Sequence, residues 1–300
     1  MIIAPPTPKG FRDITPELAK RRREVIAKIV ETLEEFEFVP IETPTLEFAE
    51  TLEGKYGDEE RLIYKFTDRG GRKLALRYDL TVPLARYVAT YNPPLPFRRY
   101  QIGQVFRGEN PQKGRFREFT QVDFDSIGSN DPKEDAKIVA ATIQCIKALD
   151  FKDAVMLLND RVNFANLPIE AVRAIDKINK IGEAGVIQEL VAGGMPKEQA
   201  QDAIDKIKSQ KPTENLRQIF NILQEEYQLK ESIDFKFDPT LARGLDYYTG
   251  AIFELKVNRD PLSLSVGGGG RYDNLIGTFS KKEVPAVGFS FGLDRILEIL

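Results

Sequence analysis

The segment from Phe97 to Glu118, FRRYQIGQVFRGENPQKGRFRE, carries six basic side chains, Arg98, Arg99, Arg107, Lys113, Arg115 and Arg117, against Glu109 and Glu118. In a chain of formal net charge −3 this is a local surplus of positive charge. Arginine offers a planar fork of donors that matches phosphate, so several forks converging on one cleft suit a polyphosphate. A solvated hairpin is the plainer reading of the same residues. The strand-like run that follows sets Phe119, Gln121, Asp123 and Asp125 on one face and Thr120, Val122 and Phe124 on the other. Such a polar row is either the wet face of an antiparallel sheet or the lining of a ligand cleft. In KLALRYDL, Ala75, Arg77 and Asp79 alternate with Leu74, Leu76 and Tyr78, which gives a local ion pair or a second polar wall.

Two later stretches carry comparable signals. ARGLDYYTGAIFE, residues 242–254, opens with Arg243, Asp246, Tyr247 and Tyr248 before a strand that begins after Gly250. In AVGFSFGLDR, Val287, Phe289 and Phe291 alternate with Gly288, Ser290 and Gly292, so one strand face is almost bare. A flat ring or a neighbouring helix fits against such a face. Arg295 follows in the first turn of a helix, near the positive end of its dipole. Gly267 to Gly270 lack the Lys-Ser/Thr of a P-loop and the spacing of a dinucleotide fingerprint, and by themselves read as a flexible turn.

The elements that must position these residues follow from periodicity. Thr15-Pro16 caps a helix in which Leu18, Val25, Ile29 and Leu33 recur at near-helical spacing. Pro40 and Pro44 then favour an extended edge. Short strand-like runs follow, RLIYKFTD, KLALRYDL, RRYQIGQVFR and FREFTQVDFDSIG, joined by polar turns in the manner of an antiparallel sheet. DPKEDAKIVAATIQCIKAL reads as a helix and KDAVMLLND as a strand. A helical block from about 169 to 228 looks inserted, since strand character returns at FKFDPTLARGLDYYTGAIFELKV and continues to the PAVGFSFG run.

Composition removes whole classes of chemistry. There is no histidine, so neither a histidine-based triad nor a histidine metal site is available. The single cysteine, Cys145, lies in an apolar helical run, which excludes an internal disulfide and a cysteine zinc cluster. No apolar run reaches eighteen residues and the N-terminus lacks the layout of a secretion signal, so a cytoplasmic protein is expected. The 42% apolar content suffices for a substantial core.

Taken together, TPKGFRD, Pro44, ALRYDLTVPLARY, FRGENPQKGRFREFTQVDFD, IDKINKIGEAGV, ARGLDYYTG and AVGFSFGLDR resemble the catalytic domain of histidyl-tRNA synthetase, a class II aminoacyl-tRNA synthetase. ARGLDYYTG is the most specific of these. The resemblance implies an α+β fold: a six-stranded antiparallel sheet flanked by helices, with a helical insertion. It implies a catalytic core in two parts, residues 1–165 and 231–300, around an insertion at 166–230. Nothing after Leu300 matches the family's anticodon-binding domain, so a catalytic fragment that activates histidine but charges tRNA weakly is expected.

The resemblance also implies the chemistry: ATP and histidine give histidyl-adenylate and pyrophosphate, and histidine then passes to the tRNA 3′ end. ATP acts as substrate, with Mg2+. Carried over residue by residue, Arg107 and Arg243 act at the α-phosphate, Glu109 at the adenine end, Arg115 and Arg295 at the outer phosphates, and Phe119 stacks on adenine. Asp79, Thr81 and Gln121 receive the amino group of histidine. Asp125 and Tyr248 bond the imidazole nitrogens, and Tyr247 and Tyr272 complete that pocket. A homodimer built around the motif 1 region, the helix and strand about Pro44, is expected. Thr120 stands where many relatives carry an aromatic residue or histidine. The alternative is the synthetase-like regulatory subunit of ATP phosphoribosyltransferase, which the survival of Arg107, Arg243 and Arg295 disfavours.

Overall fold

The computed structural model describes residues 6–111, 115–243, 247–259, 262–280 and 282–300; Lys113 of the basic hairpin lies outside them. Helix α1 (Pro16–Glu35) starts as its sequence dictates: Pro16 occupies the first turn and the Thr15 hydroxyl accepts from the Leu18 N–H. Its buried stripe is Val25, Ile29, Thr32 and Leu33. Short strands β1 (Val39–Pro40) and β2 (Leu46–Phe48) follow, then α2 (Ala49–Leu52). A small sheet of order β2-β4-β3 is completed by β3 (Lys65–Thr67) and β4 (Lys73–Leu76), and α3 (Thr81–Tyr91) leads to the main sheet.

That sheet is built from β5 (Phe97–Phe106), β6 (Glu118–Ile127), β7 (Ala154–Asp160), β8 (Phe235–Phe237), β9 (Ala251–Arg259), β10 (Leu262–Arg271) and β11 (Ala286–Gly292), together with β1. Its order is β1-β5-β6-β11-β10-β9-β7-β8. The six central strands pair antiparallel throughout. The expected six-stranded antiparallel sheet is therefore present, extended at each edge by one short parallel strand.

One face of the sheet is covered by α1, α4 (Pro132–Ala148), α8 (Glu214–Glu225) and α9 (Leu293–Ile299). Phe124 is the centre of that layer, its ring within 6 Å of Phe38, Phe289 and Phe291. Each such ring contributes roughly 1.5–3 kcal/mol by leaving water. The alternation of Val287, Phe289 and Phe291 with Gly288, Ser290 and Gly292 sends the three apolar side chains into this core. The small residues are left on the opposite face.

Helices α5 (Ile169–Ile175), α6 (Ile178–Ala192) and α7 (Lys197–Lys208) pack on one another in a second cluster, whereas α8 packs on α4 in the main core. No helix among the described residues is long and apolar enough to cross a membrane.

Two local expectations are corrected. Gly267 to Gly270 form no flexible turn: they lie inside β10, paired on both sides with β9 and β11. The strand KLALRYDL stops at Leu76, so Arg77 and Asp79 are not a strand pair. Arg77 instead donates to the backbone carbonyls of Thr43 and Gln104, while Asp79 accepts from the Tyr56 hydroxyl and the Val82 N–H.

Candidate active site

The side of the sheet away from α1 and α4 opens into a cleft of about 700 Å³. Its floor is set by strand parity in Gln121, Asp123 and Asp125 of β6 and Gly288, Ser290 and Gly292 of β11, and is completed by the bare backbone of Gly267 to Gly269 of β10. Its walls come from elsewhere in the chain. Asp79 and Thr81 enter at the start of α3, Arg107, Glu109, Arg115 and Phe119 from the β5–β6 hairpin, and Arg243, Tyr247 and Tyr248 from the approach to β9. Tyr272 follows β10 and Arg295 lies in α9. All thirteen side chains expected at the site thus line one cavity.

One half of the cleft is cationic. Arg107 lies with its guanidinium 4.3 Å from the Tyr78 ring centroid and 5.2 Å from that of Phe119, and its Nε donates to the Tyr78 carbonyl at 3.2 Å. Arg115 reaches Glu109 at 3.4 Å. Arg295 donates to the Ser265 carbonyl at 3.0 Å. Its pKa is held below the ordinary value by burial first, and then by the charges of Arg115 and Arg107. The cations therefore feel one another.

Arg243 sits in the left-handed backbone region, at φ 53°, and its Nε is buried with no hydrogen-bond partner in the protein. Burial disfavours its charge, but Tyr248, Glu254 and Asp176 outweigh that and leave its pKa above the ordinary value. Its guanidinium occupies the space where a side chain on Gly268 would stand, with Nη2 2.5 Å from that Cβ position.

The other half is a pocket of carboxylates and tyrosines. The rings of Tyr247 and Tyr248 are 4.9 Å apart, and Tyr247 meets Tyr272 edge-on at 6.0 Å. The Tyr272 hydroxyl donates to Asp125 Oδ1. Gln121 bonds Ser290, whose hydroxyl also donates to Asp123, and Gln121 Oε1 and Asp125 Oδ2 are buried acceptors with no hydrogen-bond donor in the protein. Burial raises the pKa of Asp79, Asp123 and Asp125, that of Asp123 to about 7; nearby positive charge, Arg107 for Asp79 and Arg99 for the other two, opposes the rise. Such a pocket offers acceptors to a ligand rich in N–H donors.

The basic hairpin does not act as a unit. Of its described basic residues only Arg107 and Arg115 line the cleft. Arg98 pairs with Glu134 and Glu37, and Arg117 bonds the carbonyls of Glu109 and Lys9. Arg99 is wholly buried against Asp125. The bare face of β11 is also explained differently: a Cβ on Gly288 would stand 2.5 Å from Asp125 Cγ, so that glycine makes room for a carboxylate. Asp176, at the end of α5, and Glu254, on β9, line the cleft without having been singled out. Asp123 and Arg99 carried a signal in strand parity; Asp176 carried none, because only tertiary packing brings an insertion helix here.

The comparisons with known proteins agree with this geometry. The histidyl-tRNA synthetase family model matches residues 10–173 and 169–296. The histidine–tRNA ligase of Aeropyrum pernix is 41% identical across 98% of this chain and 74% of its own length. That of Helicobacter acinonychis is 42% identical across 100% and 75%. Among solved structures, the histidyl-tRNA synthetase of Nostoc sp. PCC 7120 superposes with a TM-score of 0.82 at 29% identity, over 99% of this chain and 75% of that one. A Bacillus halodurans protein described as an ATP phosphoribosyltransferase regulatory subunit/histidyl-tRNA synthetase gives 0.79 at 26%, over 98% and 83%. With nearly the whole length matched and the expected residues gathered in one cleft, the chain belongs to the histidyl-tRNA synthetase family.

Proposed function

We propose that the cleft activates histidine with ATP and hands it to the 3′ end of tRNA. The observation that carries this reading is the meeting of Arg107, Arg115, Arg243 and Arg295, from three distant segments, beside a pocket of buried acceptors. Cations that destabilise one another call for a polyanion.

In the first step a carboxylate oxygen of histidine bonds to the α-phosphorus of ATP, and the bond from that phosphorus to the bridging oxygen breaks to release pyrophosphate. An anion attacks an anion, so positive charge fixed in advance at the α-phosphate lowers the barrier, and no proton need move. Arg107 and Arg243 take that role. Arg115 and Arg295 hold the outer phosphates, Phe119 stacks on adenine, and Glu109 meets its edge. Asp79, Thr81 and Gln121 hold the amino group; Asp125 and Tyr248 read the imidazole, with Tyr247 and Tyr272 closing the pocket. In the second step a ribose hydroxyl oxygen of the tRNA bonds to the activated carbonyl carbon, the bond from that carbon to the phosphate oxygen breaks, and AMP leaves together with the hydroxyl proton.

Among the described residues no group of three or more metal-ligating side chains forms. Mg2+ would therefore be held chiefly by phosphate oxygens and would offset their charge. The packing of α5 to α7 on one another supports an insertion module between two parts of the core, close to the 166–230 division. Exposed Val39, Leu46, Phe48 and Phe66, on and beside the motif 1-like segment, support a homodimer. A protein acting on tRNA is expected in the cytoplasm.

Histidine-dependent exchange of pyrophosphate into ATP tests the reading. Exchange by the wild type, reduced on the order of 10²-fold or more by Arg243→Ala, is expected. Absence of exchange together with binding to an ATP phosphoribosyltransferase would instead favour the regulatory role that the Bacillus halodurans likeness brings forward.

A further inference from the structure

Among the described residues, the most completely buried ionic group is one that the proposed chemistry does not use. Arg99, on β5, has no exposed surface and stands in register opposite Asp125 on β6. Its Nη2 lies 2.6 Å from Asp125 Oδ2, and its Nη1 donates to the Asp123 carbonyl at 3.5 Å. A buried ion pair is seldom worth more to stability than apolar side chains of equal volume, so the fold alone gives little reason for it. The place of Asp125 supplies one. Tyr272 holds its Oδ1, the backbone of Gly288 closes a second side, and Arg99 closes a third. A carboxylate oxygen has more than one acceptor site, so Oδ2 keeps capacity for a further donor beside Arg99.

Resting on the histidine-activation reading above, we propose that Arg99 is a positioning residue for side-chain recognition, fixing Asp125 as the acceptor of an imidazole N–H. Asp123 belongs to the same device. Two carboxyls lie two residues apart on one strand face, and one guanidinium reaches the carboxylate of Asp125 and the backbone carbonyl of Asp123. Burial drives both towards the protonated form, and Arg99 opposes this in each case. Without Arg99 the pair would share no cation, and one carboxyl would take up a proton. A protonated Asp125 presents an O–H donor to the donor it has to receive, and recognition of the ring is lost.

The test is pyrophosphate exchange by the full chain with L-histidine and ATP varied separately, alongside thermal melting. Arg99→Met is expected to raise the KM for histidine roughly 10- to 100-fold, the loss of one charge-assisted hydrogen bond, with the KM for ATP and kcat changed by less than about twofold. Arg99→Lys, which keeps the charge, should recover most of the loss. If Arg99→Met does not fold, Arg99→Met combined with Asp123→Asn leaves one carboxyl unpaired rather than two and is measured in the same way. An unchanged histidine KM in either folded variant overturns the proposal, and so does a parallel rise in both KM values. A wild type without exchange overturns the activity reading itself, whereas an active wild type with an indifferent Arg99 overturns only this inference.

Discussion

Gly268→Ala adds one methyl group at the most sensitive point of the cleft. A Cβ there would stand 2.5 Å from Arg243 Nη2, with Nη1 and Cζ nearer still. Ordinary contact begins near 3.4 Å. The guanidinium must therefore withdraw by on the order of 1 Å, a displacement that costs about 10²-fold in a positioned reaction. The fold should barely notice. Position 268 has no positive φ, and its three nearest neighbours are the far end of a flexible side chain.

Two neighbouring glycines give controls with different outcomes. A Cβ on Gly269 would meet the backbone of β11, 2.8 Å from Phe289 Cα, so Gly269→Ala should lower stability by about 1–3 kcal/mol. A Cβ on Gly288 would meet Asp125 Cγ at 2.5 Å, so Gly288→Ala should raise the KM for histidine and spare that for ATP. Pyrophosphate exchange with both substrates varied, together with urea unfolding, separates the three. Gly268→Ala retaining exchange within about threefold of wild type would refute the assignment of Arg243, and so would equal damage by all three substitutions.

Asp123 should give the stability a falling slope with pH. Its carboxyl titrates near 7 in the fold against an ordinary 3.8, so the native state holds the extra proton between those values and loses stability as pH rises through that window. The full effect is roughly 4 kcal/mol if Asp123 acts alone. Asp123→Asn should remove this slope and melt higher than wild type at pH 8; identical slopes would count against it. ATP should raise the melting temperature, because its phosphates relieve the repulsion felt by Arg295, and at a hundredfold excess over Kd the gain is about 2.7 kcal/mol. An ATP shift that survives Arg295→Ala combined with Arg107→Ala would contradict the cation cluster. Cys145 is 1% exposed and burial raises its thiol pKa far above the ordinary value, so thiol reagents should label it only on unfolding. Rapid labelling of the native protein would show the α4 core to be open.

The candidate site was legible wherever one strand kept its period. Gln121, Asp123 and Asp125 share a face because β6 runs unbroken from Glu118 to Ile127, and all three reach the cleft. The same parity separates Arg98 from Arg99, although their identical chemistry had grouped them: one pairs with Glu134 on the helix side, the other is buried behind Asp125. Where the period broke, the reading broke. β4 ends at Leu76, so Arg77 and Asp79 turn to different partners. The run of glycines at 267–270 resembles a turn by composition, yet its residues pair at β10 because close neighbours on β11 and the Arg243 guanidinium leave no room for side chains. Glycine reports only that something is near; composition cannot say whether it is backbone, ligand or a side chain from elsewhere.

A chain without histidine has to perform its chemistry with permanent charges rather than a titrating base, and this ties the two halves of the cleft together. Arg107, Arg115, Arg243 and Arg295 supply a fixed positive field. Such a field would also draw any small anion into the neighbouring pocket. Asp79, Asp123 and Asp125 oppose this: Arg107 and Arg99 counter the burial that would neutralise them, and their acceptor oxygens make the pocket a poor host for a second anion. The carboxylate of an incoming amino acid is then best placed at the arginines while its N–H groups face the acidic end. That polarity orients the substrate with its nucleophilic oxygen towards the phosphate, so recognition and alignment arise from one charge distribution.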